Sequence, residues 1–182
     1  MSRKLLILPA LAILIFALSC SEERGQVILT VASINPTSEP FGDIMDEDGI
    51  IPPDTVDIEL HNDLKNPGGL GSLTFADIVV ESVTISFTRV DGGSDEPATF
   101  RTATSYLIPA QGILTITDFL IIPATLKAQF PLSDLLYYGF ERSTNFASIR
   151  MDVRLEFAGH THEGDPVYAS GSITMEFTNW AD

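Results

Sequence analysis

Cysteine is almost missing from this chain: Cys20 is the only one in 182 residues. No disulfide can close within the chain, so a folded state must rest on packing and strand pairing alone. Positive charge is scarce too, with 10 Lys and Arg against 25 Asp and Glu and a net charge of −15. Two of the ten, Arg3 and Lys4, stand at the very start. Such a balance excludes phosphate-rich partners, and nucleic acid is not expected to bind. Signatures of catalysis are missing as well. Gly69-Leu70-Gly71 lacks the third glycine and the following helix of a dinucleotide loop, and no G-x-S-x-G elbow occurs. His162-Glu163 runs into Gly164-Asp165-Pro166 instead of completing a zinc-protease motif. The expectation is a protein without enzymatic activity and without a resident cofactor.

No apolar run is long enough to span a bilayer. The longest, Leu5 to Leu18, has fourteen residues and contains Pro9, whereas a spanning helix needs about 20. Behind Arg3 and Lys4, this run has the cationic start and apolar core of an export signal. It ends in Phe16-Ala17-Leu18-Ser19-Cys20, which resembles the lipobox of bacterial lipoproteins, with Ser19 as the small residue before the cysteine. The resemblance implies acylation of the Cys20 thiol and removal of residues 1–19, a signal helix. Ser21 in place of Asp after the cysteine implies sorting to the outer membrane. Ordinary cleavage after Ala17-x-Ser19 is the rival reading, and it would leave a lone thiol in an oxidising compartment.

The remaining 163 residues suit one domain. Residues 20–25 read as a polar tether, and residues 26–182 as the folded part. Alternation dominates from there. QVILTVASI is β-branched; Val56, Ile58 and Leu60 alternate with Asp57, Glu59 and His61; Val83, Ile85 and Phe87 alternate with Ser82, Thr84, Ser86 and Thr88. Ala98 to Ser105 reads as an edge strand with Arg101 outward, and Ile113 to Ile122 as the next. Ile149 to Phe157 and the run ending in Ile173, Met175 and Phe177 read as a long hairpin turned between Gly159 and Pro166. Period 2 puts one face of each strand inward. One short helical turn is expected over residues 134–138, capped by Ser133 and ended by Gly139. The expected fold is all-β, a single antiparallel sandwich of about seven strands that resembles the immunoglobulin and fibronectin type III style. The Cys…Trp…Cys core of true immunoglobulin domains is absent.

Four places could hold a ligand. The loop from Pro36 to Asp54 bunches Asp43, Asp46, Glu47 and Asp48, and carboxylates on a flexible loop suit calcium. Its spacing is not that of an EF-hand, because Ile44 occupies the position that should open the series. His160, His162, Glu163 and Asp165 could hold zinc, or could simply be turn chemistry. The outward series Arg150-Asp152-Arg154-Glu156 could meet an acidic partner or pair across strands with Asp57, Glu59 or Glu176, and the Ser82–Thr88 hydroxyl ladder could carry a glycan or peptide. The metal candidates are thus Asp43, Asp46, Asp48, His160, His162 and Asp165. Taken together, the sequence leads to a lipid-anchored envelope protein that acts as a structural or protein-interaction module with an envelope protein partner. The alternative is a ligand-binding module for calcium, a glycan or another small ligand, built on loop 43–54 or turn 160–165.

Overall fold

The computed structural model describes residues 27–37, 41–66 and 73–179. The leader, Cys20, the tether and Trp180 lie outside them. Seven strands are present: β1 (Val27–Pro36), β2 (Asp54–Leu64), β3 (Ile78–Arg89), β4 (Phe100–Ile108), β5 (Ile113–Ile122), β6 (Ser148–Thr161) and β7 (Pro166–Thr178). They form two antiparallel sheets, β1-β2-β5 and β4-β3-β6-β7, packed as a sandwich. The constant-type immunoglobulin order, counted along the chain, is 1-2-5-4 facing 3-6-7. Here the fourth strand has changed sheets and sits beside β3.

The alternation decides what is buried. Val56, Ile58 and Leu60 of β2 face Val83, Ile85 and Phe87 of β3 and Ile149, Met151, Val153, Leu155 and Phe157 of β6, nearly all of them fully buried. Met175 and Phe177 of β7 close the same core. Between Val80 and Ser82 the register of β3 shifts against both of its neighbours. The extra residue, Glu81, lets Val80 and Val83 both point inward with two polar residues between them. Gly159 lies opposite this bulge on β6, where a Cβ would stand 2.1 Å from the carbonyl oxygen of Val79. Gly171 of β7 serves a similar need, because Val31 and Ile34 of β1 press against it.

The strand directions give the sandwich two distinct ends. The chain enters at Val27, which pairs with Leu64 at the end where β3, β5 and β7 also begin. At the opposite end lie the loop of residues 41–53, the loop of residues 90–99 and the connection from β5 to β6. That connection holds two helices, α1 (Ala124–Lys127) and α2 (Leu132–Tyr138). The expected helical turn is therefore present as α2, ending on Gly139 in the left-handed conformation at φ 73°. Ser133 does not cap it. The N-cap position is Pro131, with no side-chain capping bond, and Ser133 lies inside the helix. α1 was not expected from the sequence, since four residues are too few to show a helical period.

Candidate functional site

The end opposite Val27 carries the chemistry, and its geometry starts with α2. Leu132 and Leu135 are fully buried and Leu136 packs against the core. The spacing of three and four puts these leucines on one face of the helix and turns Tyr137 and Tyr138 outward. Tyr137 is 72% exposed and Tyr138 50%. Phe130, Phe140 and Phe146, in the turns on either side, are also exposed. Tyr138 and Phe140 lie with ring centroids 6.4 Å apart, and the Arg142 guanidinium sits 4.7 Å above the Tyr138 ring. Five exposed aromatic rings thus fall within seventeen residues of chain. In water such a surface is costly, and clusters of Tyr, Phe and Arg of this kind mark binding surfaces.

Two sets of ionic contacts order this cap, one inside it and one that ties it to the sandwich. Asp134, buried within α2, takes hydrogen bonds from the backbone N–H and the guanidinium of Arg142. Those bonds hold its carboxyl below the usual range, although burial opposes them. The larger set centres on Arg89, at the end of β3. Its Nη1 and Nη2 donate to the two carboxylate oxygens of Glu141 at 2.7 and 2.8 Å. Its Nε and Nη2 donate to Asp91 at 2.8 and 2.9 Å, and Nη1 also reaches the carbonyl of Asp95. All five N–H groups of the guanidinium are satisfied. Glu141 itself stands at the base of the aromatic loop, bridged to Phe146. Gly93 leaves room for this plane, for a Cβ there would lie 2.2 Å from the Arg89 Nη2.

The pKa shifts follow from these bonds. The Glu141 carboxyl is lowered chiefly by Arg89, against burial. Burial alone would raise Asp91, but hydrogen bonds from Arg89 and from the N–H groups of Arg150 and Gly93 outweigh it and hold the carboxyl at about 2. Arg89 is raised above its ordinary value, above all by its bonds to Glu141.

The acidic loop lies at the same end, but its carboxylates do not gather. Ile44, where an EF-hand series would open, is a core residue with no exposure. Asp43 is buried, and its chain segment bridges to Thr178 of β7. Asp46 caps its own turn, accepting the N–H groups of Asp48 and Ile50 at 3.1 and 2.7 Å. At the Val27 end, His160 is a residue of β6 and not of the turn, with Nε2 3.3 Å from Glu81. His162 is exposed, while Asp165 closes the tight turn on Thr161. Among the described residues no three His, Cys, Asp or Glu side chains come together.

The outward series of β6 meets the hydroxyl ladder of β3 on the outer face of the four-stranded sheet. Small residues, Ser82 and Ala158, floor the two middle strands; Arg101, Arg154 and Tyr168 stand around them and make an open trough of about 700 Å³. Its cations are partly engaged. Arg101 donates to the Ser82 hydroxyl at 2.7 Å, and Arg154 pairs with Glu156 two residues along its own strand at 3.1 Å. Asp57 and Glu59 belong to the other sheet, so the expected cross-strand pairs with them do not form; of the three acids, only Glu176 lies opposite Arg150.

No protein-family model matches the chain, and no curated protein matches it. Among solved structures it is similar to an X-ray structure of a Northeast Structural Genomics Consortium target, SoR45, at 9% sequence identity. That alignment covers 85% of this chain and 88% of the other, with a TM-score of 0.42.

Proposed function

We propose that this chain is a lipid-anchored protein of the bacterial cell envelope, held in the outer membrane through Cys20, that works as a protein-interaction module without enzymatic activity. The aromatic cap carries the reading. It occupies the end of the sandwich opposite Val27, the first described residue after the tether. A docking surface at that end faces away from the lipid and toward whatever the envelope presents. The partner is an envelope protein with an apolar pocket for Tyr137 and Phe140, and with an acceptor within reach of Arg142, whose side chain is 57% exposed. Buried aromatic anchors of this type commonly contribute 2 kcal/mol or more each to an interface, a loss of about 30-fold in affinity on truncation.

A photo-crosslinking residue placed at Tyr137 in living cells is expected to give one discrete adduct. Changing Tyr138 and Phe140 to Ala in the same chain should abolish it, and the same probe at Thr115 on β5 should give none. No adduct at Tyr137, or one unchanged by the double substitution, sinks the proposal. The anchor is tested separately: Cys20→Ala is expected to remove fatty-acid labelling and release the protein from the membrane fraction. Release is expected to be complete, because acyl chains contribute about 0.8 kcal/mol per buried methylene. Retention of the variant in membranes would count against acylation.

A further inference from the structure

One buried pair at the far end is used by neither the cap nor the trough. Lys127, the last residue of α1, is fully buried, and its Nζ stands 2.9 Å from Oδ2 of Asp54, the equally buried first residue of β2. The two carboxylate oxygens of Asp54 differ. Oδ1 accepts the N–H of Gly42 at 3.1 Å. Oδ2 faces the Lys127 amine and has no other hydrogen-bond partner. Nζ in turn donates to the carbonyl oxygen of Asp43 at 2.6 Å. An amine beside a carboxyl group, with a backbone N–H on the retained oxygen, supplies the parts of an acyl-transfer site, here buried away from water.

We propose that Lys127 and Asp54 condense into an intramolecular isopeptide bond, with Nζ joined to Cγ, once the chain has folded. The lone pair of Nζ adds to Cγ of Asp54. Negative charge develops on Oδ1, where the N–H of Gly42 faces it, and Oδ2 leaves as water. One hydrogen of that water comes from the carboxylic acid and the other from the amine. One amine and one acid therefore give one amide and one water, with no oxidant, reductant or further reactant. Donation of one amine N–H to the Asp43 carbonyl leaves the lone pair to face Asp54.

The reaction needs both groups neutral, and their surroundings favour that state. Burial raises Asp54 against the pull of Lys127, and burial lowers Lys127 against the pull of Asp54. In a site without water, passing one proton from ammonium to carboxylate removes two charges at once. The bond would also supply what the composition denies. With a single cysteine, this exported chain has no disulfide to cross-link it. An amide between β2 and α1 would close that path covalently and tie the acidic loop to the sandwich through Gly42 and Asp43.

The test uses the full-length protein extracted from membranes in detergent, denatured and digested. Peptide mapping by mass spectrometry is expected to find a branched peptide joining the segments around Asp54 and Lys127, lighter by one water than its two linear parts. On a denaturing gel the wild type should migrate faster than Lys127→Arg, whose side chain cannot form the bond. Recovery of linear peptides alone from the folded wild-type protein, with Lys127 and Asp54 unmodified, overturns the proposal. That measurement does not depend on any variant being able to fold.

Discussion

Arg89→Ala is expected to destabilise the fold by about 3–5 kcal/mol, the cost of breaking a buried ion pair on one side only. The substitution removes five hydrogen bonds and leaves Glu141, which has no exposure, with a carboxylate it cannot solvate. Chemical denaturation at neutral pH reads the loss, and a change below about 1 kcal/mol would contradict it. Acid supplies a second signature. Asp91 and Glu141 have lowered pKa values in the folded protein. The unfolded chain therefore binds their protons first, and stability falls with pH. This contribution is complete above about pH 5 and drains away as the pH drops toward the folded value of about 2 for Asp91. In Arg89→Ala both carboxyls lose their main partner, so the acid slope of stability should be shallower than in the wild type. Because Glu141 roots the aromatic loop, the Tyr137 adduct should weaken in the same variant.

Phe157→Ala is expected to cost about 3–5 kcal/mol by a different route, an apolar cavity in a core that cannot fully collapse. Phe157 is 1% exposed and pairs with Val83 on one side and Ala169 on the other. Its cross-strand partners are apolar, so its effect on stability should be flat across the acid range where Arg89→Ala changes slope. The Tyr137 adduct should survive wherever the variant is still folded. Two variants of similar stability with opposite effects on the adduct would separate the cap from general loosening. Loss of the adduct in folded Phe157→Ala protein would remove that separation.

What was legible in the sequence was whatever a single strand carries by itself. The inward sets of β2, β3, β6 and β7 follow from period 2, and the structure buries them as expected, save that Ile173 of β7 is only partly covered. The sheet to which β4 belongs was not legible, because an edge strand with alternate residues half exposed has a weak pattern toward either partner. The ionic contacts were hidden for a different reason. Arg89 and Glu141 are 52 residues apart, and Lys127 and Asp43 are 84 apart. Local spacing cannot show which cations the fold will bury. The pairing of Arg150 with Asp57 or Glu59 failed for the same cause, since which sheet a strand joins is a tertiary decision. The aromatic cap did leave a signal, Tyr137-Tyr138 outside a leucine stripe, but it is easily read as a mere connection between sheets.

The placement of Val27 and the aromatic cap at opposite ends has a mechanical consequence. If the proposed lipid anchor and a partner on the cap are both engaged, a load between them would run along the strands, and β1 would be drawn lengthwise past β2. Its ladder, from Val27 opposite Leu64 to Pro36 opposite Val56, would then be strained in shear, all of its hydrogen bonds at once, instead of being unzipped one after another. At the other end, the load would enter through α2 and the loop rooted by Glu141, where Arg89 transfers it to β3 in the middle of the larger sheet. Pulled from those two ends, the domain would act as a tie.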